Sequence, residues 1–491
     1  MPSSRSMTGT MRPRRWRRSP ADHPAQQLFP GHIMSMSLQF ISESTGGRIV
    51  RGDPGLAVKG VCSDSRKLAP ASLFVALRGD RFDAHDYLGD VCRGGVTAVL
   101  VESGRGDGLP GQCGIVEVPN PRAALGALAA AYRLRFGCPF VAIGGSNGKT
   151  TTKELLAALL MPSRPVMWSE GSFNNDLGVP FTLLRVEADH QAVVVEVGSN
   201  HPGELEPLLR WTRPTAGIIT SIGREHLEFF GDLEGVAREE GTLADQIPTS
   251  GLLVMNADSD WTDAILRRAA CRVARVGSSE GCDWRIGRVS VSPSGTSFDL
   301  ENAPRDYPGR YLTSLIGRHQ AVNCVLAMAM ASDLGVTPGE MRQGLLNCRP
   351  AKSRMNLVER NGAWILDDSY NANADSMIAA IRTLRDLECS GRRIAVIGDM
   401  AELGAHTAAA HEEAGRELGT RGIDLLLAVG VNAAVTLESA RRSGLKQGLI
   451  LGGAEEALEA LRRELRPGDI ALVKASRSAG LDQIAKGLVR T

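Results

Sequence analysis

Residues Gly145-Ser146-Asn147-Gly148-Lys149-Thr150-Thr151 follow the apolar run Phe140-Val141-Ala142-Ile143 and precede Lys153 to Leu160, which reads as a helix. A glycine-rich turn between a buried strand and a helix marks a triphosphate site. Glycines permit the tight turn and a close backbone approach, and successive N–H groups and the helix N-terminus face the anion. Lys149 reaches the terminal phosphates and Thr150 can hold Mg²⁺. The common spacing places a further glycine where this chain has Ile143, so the loop is a shortened variant. The strand before it and the helix after it argue against a chance Gly-Lys-Thr turn, and ATP or GTP is the expected co-substrate.

At 491 residues the chain exceeds what one hydrophobic core serves, and about three domains are expected. A net charge of +1, with both signs interspersed, offers no basic surface for nucleic acid or an acidic membrane. Nine cysteines are scattered without a Cys-x-x-Cys pair, which fits a reducing compartment and core packing better than a disulfide frame or zinc site. No apolar stretch reaches the roughly 20 residues of a membrane span, and the cytoplasm is the expected address. Residues 1–35, with Arg12, Arg14, Arg15, Arg17 and Arg18 around Trp16, read as a disordered extension, and Met34 or Met36 is a candidate start.

Three α/β regions follow. Residues 36–138 alternate short apolar strands with an alanine-rich helix from Arg122 to Arg135. Residues 139–349 open with the phosphate loop and continue strand-then-helix through Val193–Val197, Ala216–Thr220 and Leu252–Asn256, then turn more β-like from Cys282 to Leu312. Residues 350–491 show another doubly wound pattern. The near-continuous apolar strands imply parallel sheets covered on both faces, with ligands at the carboxyl ends of the strands. Gly398 and Gly430 follow strands, but without a G-x-G-x-x-G they read as strand-end turns.

Glu196 ends the buried run Val193-Val194-Val195. An ionised carboxylate there is costly unless a cation meets it, so it reads as a Mg²⁺ ligand, with a structural ion pair as the alternative. His226 lies just past another strand end, where a metal or phosphate role and a structural hydrogen bond stand about equal. Asn174-Asn175-Asp176-Leu177-Gly178 and Asp367-Asp368-Ser369-Tyr370-Asn371-Ala372-Asn373 form Asx-rich turns that are commonly just turns.

Taken in order, GSNGKTT at 145–151, NNDLGVP at 174–180, VEVGSN at 195–200, SIGREHLEFFG at 221–231, GRHQAVN at 317–323, DDSYNAN at 367–373 and GDMAELG at 398–404 resemble the Mur ligases, and the resemblance runs from about residue 36 to the C-terminus. It implies an N-terminal domain for a uridine nucleotide, a central P-loop ATPase domain and a C-terminal Rossmann-like domain that closes on ATP. It also implies that ATP phosphorylates the terminal carboxylate of a UDP-N-acetylmuramoyl-tripeptide, and that the amine of D-alanyl-D-alanine attacks the acyl phosphate. DDSYNAN and GDMAELG favour this pair of substrates over those of the ligase that adds the third amino acid or of a folylpolyglutamate synthetase. A non-catalytic nucleotide-binding protein is the alternative from another class. No partner chain is called for, and a monomer is expected.

By the same resemblance, Lys149, Glu196, His226 and Glu240 are the catalytic candidates, with Mg²⁺ on Thr150 and Glu196 and a second Mg²⁺ near His226 and Glu240. Residues 145–151, His319, Asn323, Arg354 and Asp368 would hold ATP. Ser65 and Arg66 would meet the uridine diphosphate, with a surface ion pair as the plain alternative for Arg66. Asn174, Asn175, Tyr370, Asn371 and Asn373 fall to the substrate side, and Lys474, Ser476 and Arg477 to the dipeptide. Glu240 stands where many family members carry a lysine that becomes carbamylated. A carboxylate supplies the same two oxygens on a shorter arm, so independence from bicarbonate is expected.

Overall fold

In a computed structural model the described residues are 35–490, apart from 80 and 305, so the expected N-terminal extension lies almost wholly outside them. Three large sheets and one small antiparallel pair, Met36–Ser37 with Ala57–Val58, are built along the described residues. The first has five strands in the order Arg48–Arg51, Gly114–Val118, Ala98–Glu102, Leu73–Val75, Val61–Cys62, antiparallel only at its first pair. Its covering helix Pro121–Arg133 starts where Asn120 accepts hydrogen bonds from the N–H groups of Arg122 and Ala123 and Pro121 needs no partner.

The second sheet carries the phosphate loop. Its order is Gly309–Thr313, Gly295–Asn302, Trp284–Ser292, Arg272–Gly277, Leu252–Asn256, Ala216–Ile219, Phe140–Gly144, Ala192–Glu196, Val166–Trp168. Phe140–Gly144 is central and buried at every residue, the condition under which a strand is apolar throughout rather than alternating. The sequence suggested a parallel sheet, and seven strands, from Val166–Trp168 to Trp284–Ser292, pair that way. The last three strands, Trp284 to Thr313, form antiparallel hairpins with mixed burial. The third sheet runs Asn356–Arg360, Ala363–Asp367, Ile470–Lys474, Arg393–Ile397, Leu425–Val429, Gln447–Leu451.

The first two regions share one apolar core, in which Leu125, Leu128 and Tyr132 pack with Val179, Leu183, Leu205 and Leu209. Arg133 is buried there because its guanidinium donates to the carbonyls of Thr212, Phe136 and Arg213, and it also lies 3.4 Å over the Phe140 ring. The third region meets the second through an apolar cluster, in which Leu227, Val236 and Ile316 pack with Leu366, Met377 and Leu403, and through polar loops. Asn373 Nδ2 donates to Asn147 Oδ1 at 3.0 Å, and Arg224 forks between Asp375 and Glu413. Among the described residues no helix is long and apolar enough to cross a membrane.

Candidate active site

The phosphate loop is shaped by two glycines that only glycine can supply. Gly145 has φ +107°, and a Cβ there would sit 2.5 Å from Thr220 Oγ1; Gly148 has φ +89°, and its Cβ would sit 2.4 Å from Asn323 Oδ1. The loop is bonded to the neighbouring strand end: Ser146 N–H donates to the Ser221 carbonyl, Asn147 N–H to Ser221 Oγ and Gly223 N–H to Ser146 Oγ, each at 2.8 Å. Helix Lys149–Leu160 then points its N-terminus into a cavity of about 980 Å³.

Residues from both the second and the third regions line this cavity. They include Ser146 to Thr151, Asn174, Asn175, Glu196, His226, His319 and Asn323 on one side, and Arg354, Asp368, Tyr370, Asn371, Asn373, Lys474, Ser476 and Arg477 on the other. Gly145 and Glu240 lie just beneath the loop, where Glu240 Oε2 accepts the Gly145 N–H at 2.5 Å. Ser65 and Arg66 are not brought to this cavity. Arg66 is exposed and forked on Asp64, at 2.8 and 2.9 Å.

Electrostatics explain why the cavity wants cations. Lys149 Nζ donates to the carbonyls of Gly145 and Ser146 and lies 3.5 Å from Glu225 Oε2. Burial opposes its charge, but Glu225, Glu240 and Glu196 together hold the ammonium above its ordinary range. Burial pushes Glu225 up to about 8 and raises Glu240, with Lys149 pulling both the other way. Sequence reading passed over Glu225, which in a line of residues is one more acid in a loop. Its meeting with Lys149 across 76 positions is created by the fold.

Glu196 is fully buried. Its Oε1 accepts from Thr150 Oγ1 at 3.1 Å and from Asn174 Nδ2 at 3.0 Å, whereas Oε2 has no hydrogen-bond donor and only Lys153 Nζ 3.7 Å away. A buried carboxylate oxygen without a donor, beside a threonine hydroxyl, fits a hard divalent cation. His226 is oriented otherwise: its Nδ1 meets Glu402 Oε2 at 2.5 Å, and burial lowers its pKa while Glu402 opposes. Thr150 and Glu196 are thus bonded to each other, while His226 is turned to Glu402 and Glu240 to the Gly145 N–H, and among the described residues no three His, Cys, Asp or Glu side chains gather as a metal site.

The remaining candidates are held by specific partners. Asn323 Nδ2 donates to Gln320 Oε1 at 2.9 Å, and burial lowers His319 to about 4. Lys474 is buried and committed to Asp368 Oδ2 at 2.6 Å and to the Asn371 carbonyl at 2.9 Å, so it orders the DDSYNAN turn rather than standing free. Asn175 Oδ1 accepts the Gly178 N–H at 2.9 Å. Ser476 Oγ meets Ser478 Oγ at 3.2 Å. Arg354 Nη2 reaches Ser172 Oγ at 3.4 Å, and Ser172 Oγ is itself 3.3 Å from Thr150 Oγ1.

A phosphate loop on a parallel sheet, faced by basic and amide side chains of a second α/β region, defines a nucleotide-binding protein whose site is shared between two regions. The Mur ligase middle domain family matches residues 143–331, and the Mur ligase glutamate ligase domain family matches residues 353–477. The UDP-N-acetylmuramoyl-tripeptide–D-alanyl-D-alanine ligase of Escherichia coli K12 is 34% identical over 93% of this chain and 99% of its own. Crystal structure I of MurF from Acinetobacter baumannii superposes with a TM-score of 0.84 at 30% identity, covering 94% of this chain and 100% of that one. MurF from Thermotoga maritima in complex with ADP gives 0.75 at 25% identity, covering 88% and 97%. The chain belongs to the Mur ligase family and is an ATP-dependent ligase that forms a C–N bond.

Proposed function

We propose that this protein joins D-alanyl-D-alanine to UDP-N-acetylmuramoyl-tripeptide at the expense of ATP, a cytoplasmic step of peptidoglycan precursor synthesis. The observation that carries the reading is the single cavity in which Lys149, Thr150 and Glu196 face Arg354, Tyr370 and Arg477. The naming of the relatives and the DDSYNAN and GDMAELG segments favour this pair of substrates over those of other Mur-type ligases.

A carboxylate is a poor acyl donor because its oxygen leaves badly, so phosphoryl transfer must come first. Two anions, the terminal phosphate and the peptide carboxylate, then have to approach each other. Lys149 and the loop N–H groups neutralise the phosphate from below, and Arg354 meets it from the third region. Thr150 and Glu196 are the residues that would hold Mg²⁺, which when bound supplies charge neutralisation to the phosphates. Closure of the third region over the second keeps water from the acyl phosphate before the dipeptide amine attacks. Ser65 and Arg66 remain the candidates for the uridine diphosphate.

The test is turnover of purified protein with ATP, Mg²⁺, D-alanyl-D-alanine and the lysine and diaminopimelate UDP-tripeptides, reading product mass and phosphate release. One of the two should give the pentapeptide nucleotide. Lys149→Met should lower kcat by roughly a hundredfold or more, a loss far beyond the few degrees of melting temperature that follow from leaving Glu225 and Glu240 without their counter-charge. Phosphate release without amide product in every substrate pair would sink the reading.

A further inference from the structure

Two guanidiniums converge on one aromatic ring at the third region's wall of the cavity. Arg354 Cζ lies 4.3 Å and Arg477 Cζ 5.1 Å from the Tyr370 ring centroid. The three residues come from separate loops, one before strand Asn356–Arg360, one after Ala363–Asp367 and one after Ile470–Lys474. Backbone bonds lock the arrangement: Tyr370 N–H donates to the Ser353 carbonyl at 3.1 Å and Arg477 N–H to Asn371 Oδ1 at 3.3 Å.

Arginines elsewhere along this chain are commonly paired with carboxylates, as Arg224 and Arg392 are. Neither Arg354 nor Arg477 has such a partner among the described residues, so both charges are available to a ligand. Two like charges brought together repel, and the negative face of an aromatic ring is the group that offsets this without neutralising either. The two cations serve different sides of the cavity. Arg354 reaches Ser172 Oγ at 3.4 Å and is close enough to oppose the charge on Lys149, which sets it on the phosphate side. Arg477 stands exposed in the turn that follows the last strand of the third sheet.

We propose that Tyr370 is a positioning residue whose ring holds Arg354 and Arg477 as a divided anion receptor, with Arg354 meeting the transferred phosphate and Arg477 the terminal carboxylate of the incoming dipeptide. The assignment of the second anion rests on the ligase reading given above. A dipeptide brings one carboxylate that takes no part in the bond made. Left without a cation, that carboxylate would lie in a cavity already crowded with Glu196 and Glu225.

The experiment measures amide formation at saturating ATP and UDP-tripeptide while D-alanyl-D-alanine is varied. Tyr370→Leu should raise the KM for the dipeptide about three- to tenfold, with kcat falling less, whereas Tyr370→Phe, which keeps the ring, should restore most of the loss. Added to Arg477→Gln, Tyr370→Leu should raise that KM little further, because the ring acts through Arg477. Pentafluorophenylalanine at position 370 keeps the volume and reverses the ring's polarity. It should behave as leucine does, and it decides the matter if Tyr370→Leu does not fold. Equal effects of phenylalanine and leucine, multiplying effects of the Tyr370 and Arg477 changes, or wild-type behaviour of the fluorinated ring would overturn the proposal. Absence of amide product from the wild type would instead overturn the ligase reading on which it rests.

Discussion

Glu240 sits beneath the first turn of the phosphate loop, its carboxylate accepting the Gly145 N–H at 2.5 Å and helping to hold Lys149 charged. A side chain that already carries two anionic oxygens needs no carbamylation. The rate in degassed buffer should therefore not rise when bicarbonate is added. Glu240→Ala should lose about ten- to a hundredfold in kcat/KM, because a buried N–H is orphaned and Lys149 loses a counter-charge. Rescue of the intact enzyme by bicarbonate would contradict this. His319 offers a pH test of the same cavity. Burial holds its pKa at about 4, whereas an ordinary imidazole titrates near 6.5. Between those values the unfolded chain binds more protons than the folded one, so this residue's part in stability is complete above about 6.5 and is lost as pH falls towards 4, up to about 3 kcal/mol. The melting temperature of His319→Gln should consequently fall less than that of the wild type between pH 7 and pH 4.5. Lys149, Thr150 and Glu196 were legible in the sequence because a strand, a glycine turn and a helix are local patterns. Glu225 and Glu402 were not, because their significance lies in which distant residue they face.

Helix Ala374–Asp386 begins with a reciprocal cap in which Asn373 Oδ1 accepts the Ser376 N–H at 2.9 Å and Ser376 Oγ accepts the Asn373 N–H at 3.0 Å. The same Asn373 side chain donates to Asn147 of the phosphate loop. One residue thus starts a helix and touches the nucleotide site. Asn373→Ala should remove both roles, costing about 1 kcal/mol of stability, or a few degrees in melting temperature. Asn373→Ser keeps a capping oxygen but lacks the amide that reaches Asn147. It should melt near the wild type while its KM for ATP rises, as thermal scans and steady-state kinetics would read directly. Equal melting losses in the two variants would deny the division of roles. Elements divided in the same way over what the sequence revealed. Fully buried strands such as Phe140–Gly144 and Leu425–Val429, and Arg393–Ile397 beyond its first residue, announce themselves as apolar runs. The edge strands Asn356–Arg360 and Gln447–Leu451 have much of their surface in water and give no such signal. The DDSYNAN segment was legible as an Asx-rich turn but not as a helix cap, since both uses draw on the same Asn chemistry.

At the scale of the whole molecule, the first and second regions are welded by a shared apolar core, and the third is held against the second by ion pairs beside a smaller apolar contact of Leu227, Val236 and Ile316. Arg224 is the centre of that contact. Its backbone N–H and Nε donate to Asp375 at 2.7 and 2.8 Å, and Nη1 donates to Glu413 at 2.5 Å. Gly223 before it is bonded to Ser146, and Glu225 after it faces Lys149, so the residue that grips the third region is continuous with the wall of the phosphate site. Closure must also be reversible for product to leave, and half-exposed ion pairs suit that because each is individually weak. Arg224→Ala should shift the population towards an open arrangement. We expect a larger radius of gyration in X-ray scattering, a kcat/KM lower by about tenfold and a melting temperature close to the wild type, since no core is disturbed. Arg224→Lys should recover only part of the activity, because an ammonium cannot fork between two carboxylates as a guanidinium does. Raising the salt concentration should weaken the wild type in the same direction and the alanine variant much less. Scattering and kcat/KM both unchanged in Arg224→Ala would mean that the apolar contact of Leu227 and Val236 with the third region suffices to close the molecule.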